Sequence, residues 1–201
     1  MEIKLIDCTK KFKDKIILDK INFSIPSGLY QLIGRNGAGK STILKILANL
    51  DGKYSGEVVS MKKSILYLSV DPIGIHPFSI QENVEILWNT FDIKPNEESV
   101  SRIHTFFDNN MDTSYSSCST GMKAKVGLSL VFSKDWDIVL IDETMSSLDS
   151  QSIEMLSERL VEMSKSSIII YVSHSMVNER LKNESRVILL EEGELLWSKS
   201  R

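Results

Sequence analysis

An α/β fold built on a parallel sheet follows from three features of this 201-residue sequence. Two apolar runs of strand length, Ile138-Val139-Leu140-Ile141 and Ile168-Ile169-Ile170-Tyr171-Val172, occur late in the chain. Helix-patterned segments alternate with them. Strands that are apolar on both faces are covered on both faces, as in parallel sheets joined by crossover helices. The third feature is a mostly apolar run, Leu29-Tyr30-Gln31-Leu32-Ile33, that feeds directly into a glycine-rich segment, with an amphipathic helix beyond it.

At the N-terminus, residues 3 to 8 and Leu18-Asp19-Lys20-Ile21-Asn22-Phe23-Ser24-Ile25 alternate apolar and polar, which predicts two strands of a half-solvated antiparallel sheet. Between them lies a basic turn, Lys10-Lys11-Phe12-Lys13-Asp14-Lys15, whose aromatic is a candidate stacking platform for a base. Pro26-Ser27-Gly28 breaks the sheet and launches the next strand. The helix from Ser41 carries Ile43, Leu44, Ile46, Leu47 and Leu50 toward the core and stops at Asp51-Gly52.

Gly56 to Val59 and Ser64 to Leu68 read as further strands. From Asp71 to Ser119 the character changes, with prolines at 72, 77 and 95 and helical patterns at Ile80 to Trp88 and Ser99 to Phe107. With the start of the next helix this makes a helical insert of about 72–127 in one domain spanning 1–201. Gly121 to Phe132 and Ser150 to Met163 read as helices, and Val187 to Leu190 with Glu194 to Trp197 as a closing hairpin.

Composition narrows the function. The net charge of −3, from 24 basic and 27 acidic residues, offers no polyanion-binding surface, so nucleic acid is not expected as a partner. Cys8 and Cys118 are far apart and lack metal spacing, which suits two unpaired thiols in a reducing compartment. The charged N-terminus has no signal-like core, and no apolar run approaches the roughly 20 residues needed to cross a bilayer. The chain is expected to be cytoplasmic, with any membrane role exercised through a partner.

The glycine-rich segment is Gly34-Arg35-Asn36-Gly37-Ala38-Gly39-Lys40-Ser41-Thr42, a GxxxxGKS phosphate loop between a strand and a helix. Its backbone N–H groups turn inward around phosphate oxygens, Lys40 reaches the β and γ phosphates, and Ser41 offers a hydroxyl to Mg²⁺. The helix that follows points its positive end at the anion. The fold class is therefore that of the P-loop NTPases. At the end of the Ile138 strand, Asp142 and Glu143 place two carboxylates where an unpaired charge would cost several kcal/mol. Asp142 fits the Mg²⁺ side and Glu143 the group that polarises the attacking water.

With these motifs in order, the sequence resembles the nucleotide-binding subunits of ATP-binding cassette (ABC) transporters along nearly its whole length. Ser119-Thr120-Gly121-Met122-Lys123 stands at the place of the family's LSGGQ-like signature, and Ser147-Leu148-Asp149 matches the D-loop. Ser173-His174 matches the switch histidine that contacts the γ phosphate, and Phe12 holds the place of the adenine-stacking aromatic. Three departures stand out. Val70 falls where the family has its Q-loop glutamine, Cys118 and Thr120 replace the signature's leucine and first glycine, and Thr144 replaces the proline after the glutamate. The Gly-Met-Lys run resembles that of subunits serving exporters.

The resemblance implies an ABC ATPase fold with ATP and Mg²⁺ as cofactors. Lys40, Glu143 and His174 are then catalytic. Phe12, Gly34, Asn36, Gly37, Ala38, Gly39, Lys40, Ser41, Thr42, Ser119, Gly121 and Asp149 bind nucleotide, and Ser41 and Asp142 bind the metal. It also implies two subunits packed head to tail, identical more readily than different, and a separately encoded transmembrane subunit at the inner face of the cell membrane. Two alternatives stay open: a soluble ABC-type ATPase without a transport role, and a weakly hydrolysing regulatory ATP-binding module. His76 and His104 receive no role, and Met122 and the other methionines are read as core filler.

Overall fold

Alternation near the N-terminus produces two long strands, β1 (Glu2–Phe12) and β2 (Lys15–Pro26), paired antiparallel with Ile3 opposite Ile25 and Phe12 opposite Lys15. This computed structural model describes residues 1–13, 15–60, 64–173 and 178–198. β3 (Gly28–Ile33) leads into α1 (Lys40–Leu47). β4 (Ser55–Ser60) pairs with β1, which completes a three-stranded antiparallel sheet in the order β2-β1-β4.

The second sheet grows from the later elements. These are β5 (Ile65–Leu68), β6 (Ile138–Asp142), β7 (Ile168–Val172), β8 (Arg186–Glu191) and β9 (Glu194–Trp197). The spatial order is β5-β6-β7-β3-β8-β9. All neighbours run parallel except the β8-β9 hairpin, so β3, β5, β6 and β7 end at one edge. β6 and β7 are buried at every position, because successive side chains enter different cores. Ile138 and Leu140 pack with α1 and the antiparallel sheet, whereas Val139 and Ile141 pack with the helices of the opposite face.

Those helices are α2 (Ile80–Thr90), α3 (Glu97–Phe106), α4 (Thr120–Leu128), α5 (Leu130–Ser133) and α6 (Ser150–Ser164), with α7 (Glu179–Glu184) packed on α6. Most of these starts have a side-chain cause. Ser79 and Glu82 form a reciprocal capping box on α2, and the side chains of Asn96, Ser119 and Asp149 cap α3, α4 and α6.

Three sequence expectations need correction. The helix expected over Gly121 to Phe132 is divided at Ser129, whose hydroxyl turns back to the Val126 carbonyl at 2.7 Å. Leu50 is 65% exposed rather than in the core. Asn49 takes a left-handed φ of 58°, and Asn49 and Leu50 donate backward to the Ile46 and Lys45 carbonyls at 3.0 and 2.8 Å. This Schellman closure ends α1 one turn before Asp51-Gly52. The basic turn is also shorter than expected, since the strands run to Phe12 and resume at Lys15.

Lys10 consequently leaves the turn and is buried, with Nζ donating to both Asp51 carboxylate oxygens at 2.7 and 2.6 Å and to the Lys53 carbonyl at 2.8 Å. The bond from Lys10 holds the Asp51 carboxyl below the usual carboxylate range. Lys10→Met is expected to lower stability by about 1.5–3 kcal/mol, the worth of a hydrogen bond to a charged group. A urea titration reads the change, and an unchanged midpoint would show that the pair contributes nothing.

Candidate functional site

Gly34 through Gly39 connect the end of β3 to the first turn of α1, so the phosphate-loop motif lies at the carboxyl edge of the parallel strands. Lys40 opens α1 and is buried, and its Nζ donates to the carbonyls of Gly34 at 2.9 Å and Arg35 at 3.1 Å. These bonds tie the ammonium to the backbone at the start of the loop. Gly39 takes φ 110°, and a side chain there would also run into the Ile17 methyl group of β2. Only glycine meets both conditions. Asn36, Gly37 and Ser41 are exposed, Gly34, Ala38 and Thr42 are half-buried, and Ser41 and Thr42 occupy the first turn of α1.

Ile17 also fixes where Phe12 lies. It sits two residues from the start of β2, and Phe12 pairs with that start, so the hairpin tip stands beside the phosphate loop, within roughly two strand residues or about 7 Å. Phe12 is 66% exposed, as a ring free to stack on a ligand must be.

The carboxylates emerge two strands away on β6. Asp142 is buried, and one oxygen, Oδ2, accepts from the Tyr67 hydroxyl at 3.2 Å. The other, Oδ1, is buried without a hydrogen-bond partner among the described residues. A buried carboxylate oxygen left unpaired is costly unless something outside the chain meets it. This donor set fits a hard cation. Among the described residues no group of three His, Cys, Asp or Glu could hold a metal alone, so a cation on Asp142 would draw its remaining oxygens from hydroxyl, water or phosphate, as Mg²⁺ does. Burial and the Asp142 charge push the Tyr67 phenol well above its ordinary value, so Tyr67 remains a donor.

Glu143, half-buried, has φ 60° and ψ 2°. For a residue other than glycine this left-handed conformation costs on the order of 1–3 kcal/mol and persists only where its surroundings impose it. The surroundings are specific. The Glu143 N–H donates to Val172 of β7 at 3.1 Å, and the Ser146 hydroxyl donates to the Glu143 carbonyl at 2.9 Å.

Ser119 caps α4, accepting from the Met122 N–H at 3.2 Å. Gly121 lies so close to the single-turn helix Thr144–Ser147 that a Cβ would stand 2.6 Å from the Ser147 carbonyl oxygen. α4 packs with the opposite core from α1, so Ser119 and Gly121 lie across the parallel sheet from the phosphate-loop helix. Asp149 caps α6, with Oδ1 accepting from the Ser152 N–H at 2.8 Å and Oδ2 from the Ser152 hydroxyl at 2.9 Å. Lys125 stands 3.0 Å from Oδ2. Burial raises the Asp149 pKa, but the Ser152 and Lys125 contacts outweigh it and hold the carboxyl down to about 2. His174 lies outside the described residues.

Three residues here were not singled out as site residues from sequence. Tyr67 reaches Asp142 across neighbouring strands, and Lys125 is a buried cation between Asp149 and Asp108, the latter 3.8 Å away. Thr144, noted only as a departure from the family pattern, donates its hydroxyl toward the end of β5. Only Lys125 left a signal, a charge set between Ala124 and Val126 on an apolar stretch.

The described residues include no helix long and apolar enough to cross a membrane. A family model described as ABC transporter matches residues 18–146. The ATP-binding protein BexA of Haemophilus influenzae is 30% identical over 165 residues, 80% of this chain and 75% of BexA. The methionine import ATP-binding protein MetN 2 of Staphylococcus epidermidis is 26% identical over 96% of this chain and 64% of its own length. A solved ATP-binding subunit of an ABC transporter superposes with a TM-score of 0.81 at 20% identity, covering 97% of this chain and 88% of that one. With its phosphate loop and carboxylate pair on the edge of a parallel sheet, the chain belongs to the ABC transporter family as an ATP-binding, ATP-hydrolysing subunit.

Proposed function

We propose that this chain energises an ABC transporter, an exporter, by closing head to tail on a second copy of itself, and that it works against a separately encoded membrane subunit at the inner face of the membrane. One observation carries the reading: the phosphate loop and Asp142-Glu143 share one sheet edge, while Ser119 and Gly121 lie across the sheet from α1. A single chain then holds two half-sites. On this reading 1–201 acts as one ATP-binding domain carrying a helical insert over about 72–127.

Within one half-site, Gly34, Asn36, Gly37, Ala38, Gly39 and Thr42 line the phosphates, and Lys40 neutralises their charge. Phe12 stacks on the base. Ser41 and Asp142 hold Mg²⁺, which supplies charge neutralisation at the transferring phosphoryl group. Glu143 orients the attacking water and takes its proton, with His174 at the γ phosphate. Ser119, Gly121 and Asp149 serve the nucleotide bound by the opposite copy. Closure on ATP and opening after hydrolysis give the two states whose populations nucleotide shifts.

The membrane subunit docks on the insert and the loop leading into it, where Val70, Ile73, Ile75 and Phe78 form an exposed apolar segment after β5. Export is supported by the Gly121-Met122-Lys123 run. A relative named for import is 26% identical over 96% of this chain, so the shared cassette is compatible with either direction and the export reading rests on that run. The test is ATP turnover per subunit against protein concentration. A rate that rises with concentration supports the two-copy site, and a constant rate from a monomer in solution overturns it.

A further inference from the structure

Thr144 is buried, and its hydroxyl has three carbonyl oxygens within reach: Ser69 at 2.9 Å, Leu68 at 3.3 Å and Asp142 at 3.3 Å. A hydroxyl carries one proton, so it donates to one carbonyl at a time, and the short contact to Ser69 is the principal bond. Leu68 ends β5 and Ser69 begins the loop that carries Val70 and Ile73. Asp142 ends β6. One side chain therefore clips the exits of two adjacent parallel strands together, immediately beside Glu143.

The clip stands where the backbone is strained. Glu143 holds φ 60°, and the chain turns at once into the single-turn helix Thr144–Ser147. The Val172 carbonyl fixes Glu143 from the β7 side. On the β5 side Thr144 is the anchor, and it shares a small crevice with Leu68, Ser69, Ile73, Ala124 and Gly127. Ile73 thereby joins the apolar loop to the same point, its side chain 3.2 Å from where a Cβ on Gly127 would lie.

We propose that the Thr144 hydroxyl is a positioning group for Glu143: by tying the exit of β6 to the exit of β5, it holds the glutamate in its left-handed conformation and makes that conformation sensitive to the apolar loop after β5. The inference rests on Glu143 being the base. Thr144 touches no reacting atom and acts through its neighbour.

The test compares Thr144→Ser with Thr144→Ala, two variants that differ only in the hydroxyl, alongside Glu143→Gln. With Thr144→Ser, kcat is expected to stay within about twofold of the parent. With Thr144→Ala, kcat is expected to fall about tenfold while the dissociation constant for ATP stays within twofold, the split expected of a lost positioning contact. Equal kcat in the two variants overturns the proposal. So does a Thr144→Ala protein that loses ATP affinity in step with turnover, or one that melts below the assay temperature, since either makes the hydroxyl a support of the fold. If Glu143→Gln turns ATP over like the parent, the assignment of the base fails. If Glu143→Gln is slow and Thr144→Ala is normal, only the positioning role fails.

Discussion

Glu143→Gln is expected to bind ATP as the parent protein does and to turn it over more slowly by a factor on the order of 10²–10⁴, the usual contribution of a positioned general base. The substitution is isosteric. It keeps the backbone bonds that fix the residue, the Glu143 N–H to Val172 and the Ser146 hydroxyl to the Glu143 carbonyl, because neither involves the carboxylate. What disappears is the capacity to accept a proton from water. Phosphate release at saturating Mg²⁺ and ATP reads the rate, and a nucleotide titration reads the affinity. Parent-like hydrolysis would place the base elsewhere; a parallel loss of affinity would mean that the carboxylate organises the site rather than acting in the reaction.

The sequence carried this assignment because the signal is local. A fully apolar strand that ends in two acids is visible without a structure, and so is a glycine-rich loop between a strand and a helix. Fold class was legible for the same reason: β7 occupies the residues its pattern marks, Ile168 to Val172, and Val139 and Leu140 do face opposite cores. Local pattern is a poor guide where a distant residue decides the outcome, and where a single left-handed residue ends a helix that its apolar period would continue. Lys10 read as a turn residue because nothing nearby discloses Asp51, 41 positions away, which turns it inward. Leu50 matched the helical period, yet Asn49 closes the helix first. Tyr67 and Thr144 gain their roles only when β5 and β6 lie side by side, 75 residues apart in the chain for Tyr67 and Asp142. Pairings of that kind leave no mark in periodicity.

Lys40→Ala is expected to weaken ATP binding by about 10- to 100-fold, the equivalent of roughly 1.5–3 kcal/mol for a hydrogen bond to a charged partner. The same change is expected to cost the fold about 1 kcal/mol. The asymmetry follows from where the ammonium sits. In the free chain Nζ donates to the Gly34 and Arg35 carbonyls, and Arg35 is exposed, so water can replace a bond the lysine gives up there. On the proposed reading, nothing replaces the fixed positive charge that Lys40 brings to the β and γ phosphates. Lys40→Arg separates charge from shape, since a planar guanidinium keeps the charge but cannot stand between two carbonyls as a compact ammonium does. Its affinity should fall between those of the parent and Lys40→Ala. Calorimetric titration with ATP and a thermal melt of each variant measure the two quantities independently. An unchanged affinity in Lys40→Ala would mean that this segment does not hold the phosphates, and a large drop in melting temperature with unchanged affinity would reduce Lys40 to a brace for the loop. Loss of affinity in a protein that still folds would leave phosphate recognition as the task that keeps a buried lysine at the start of α1.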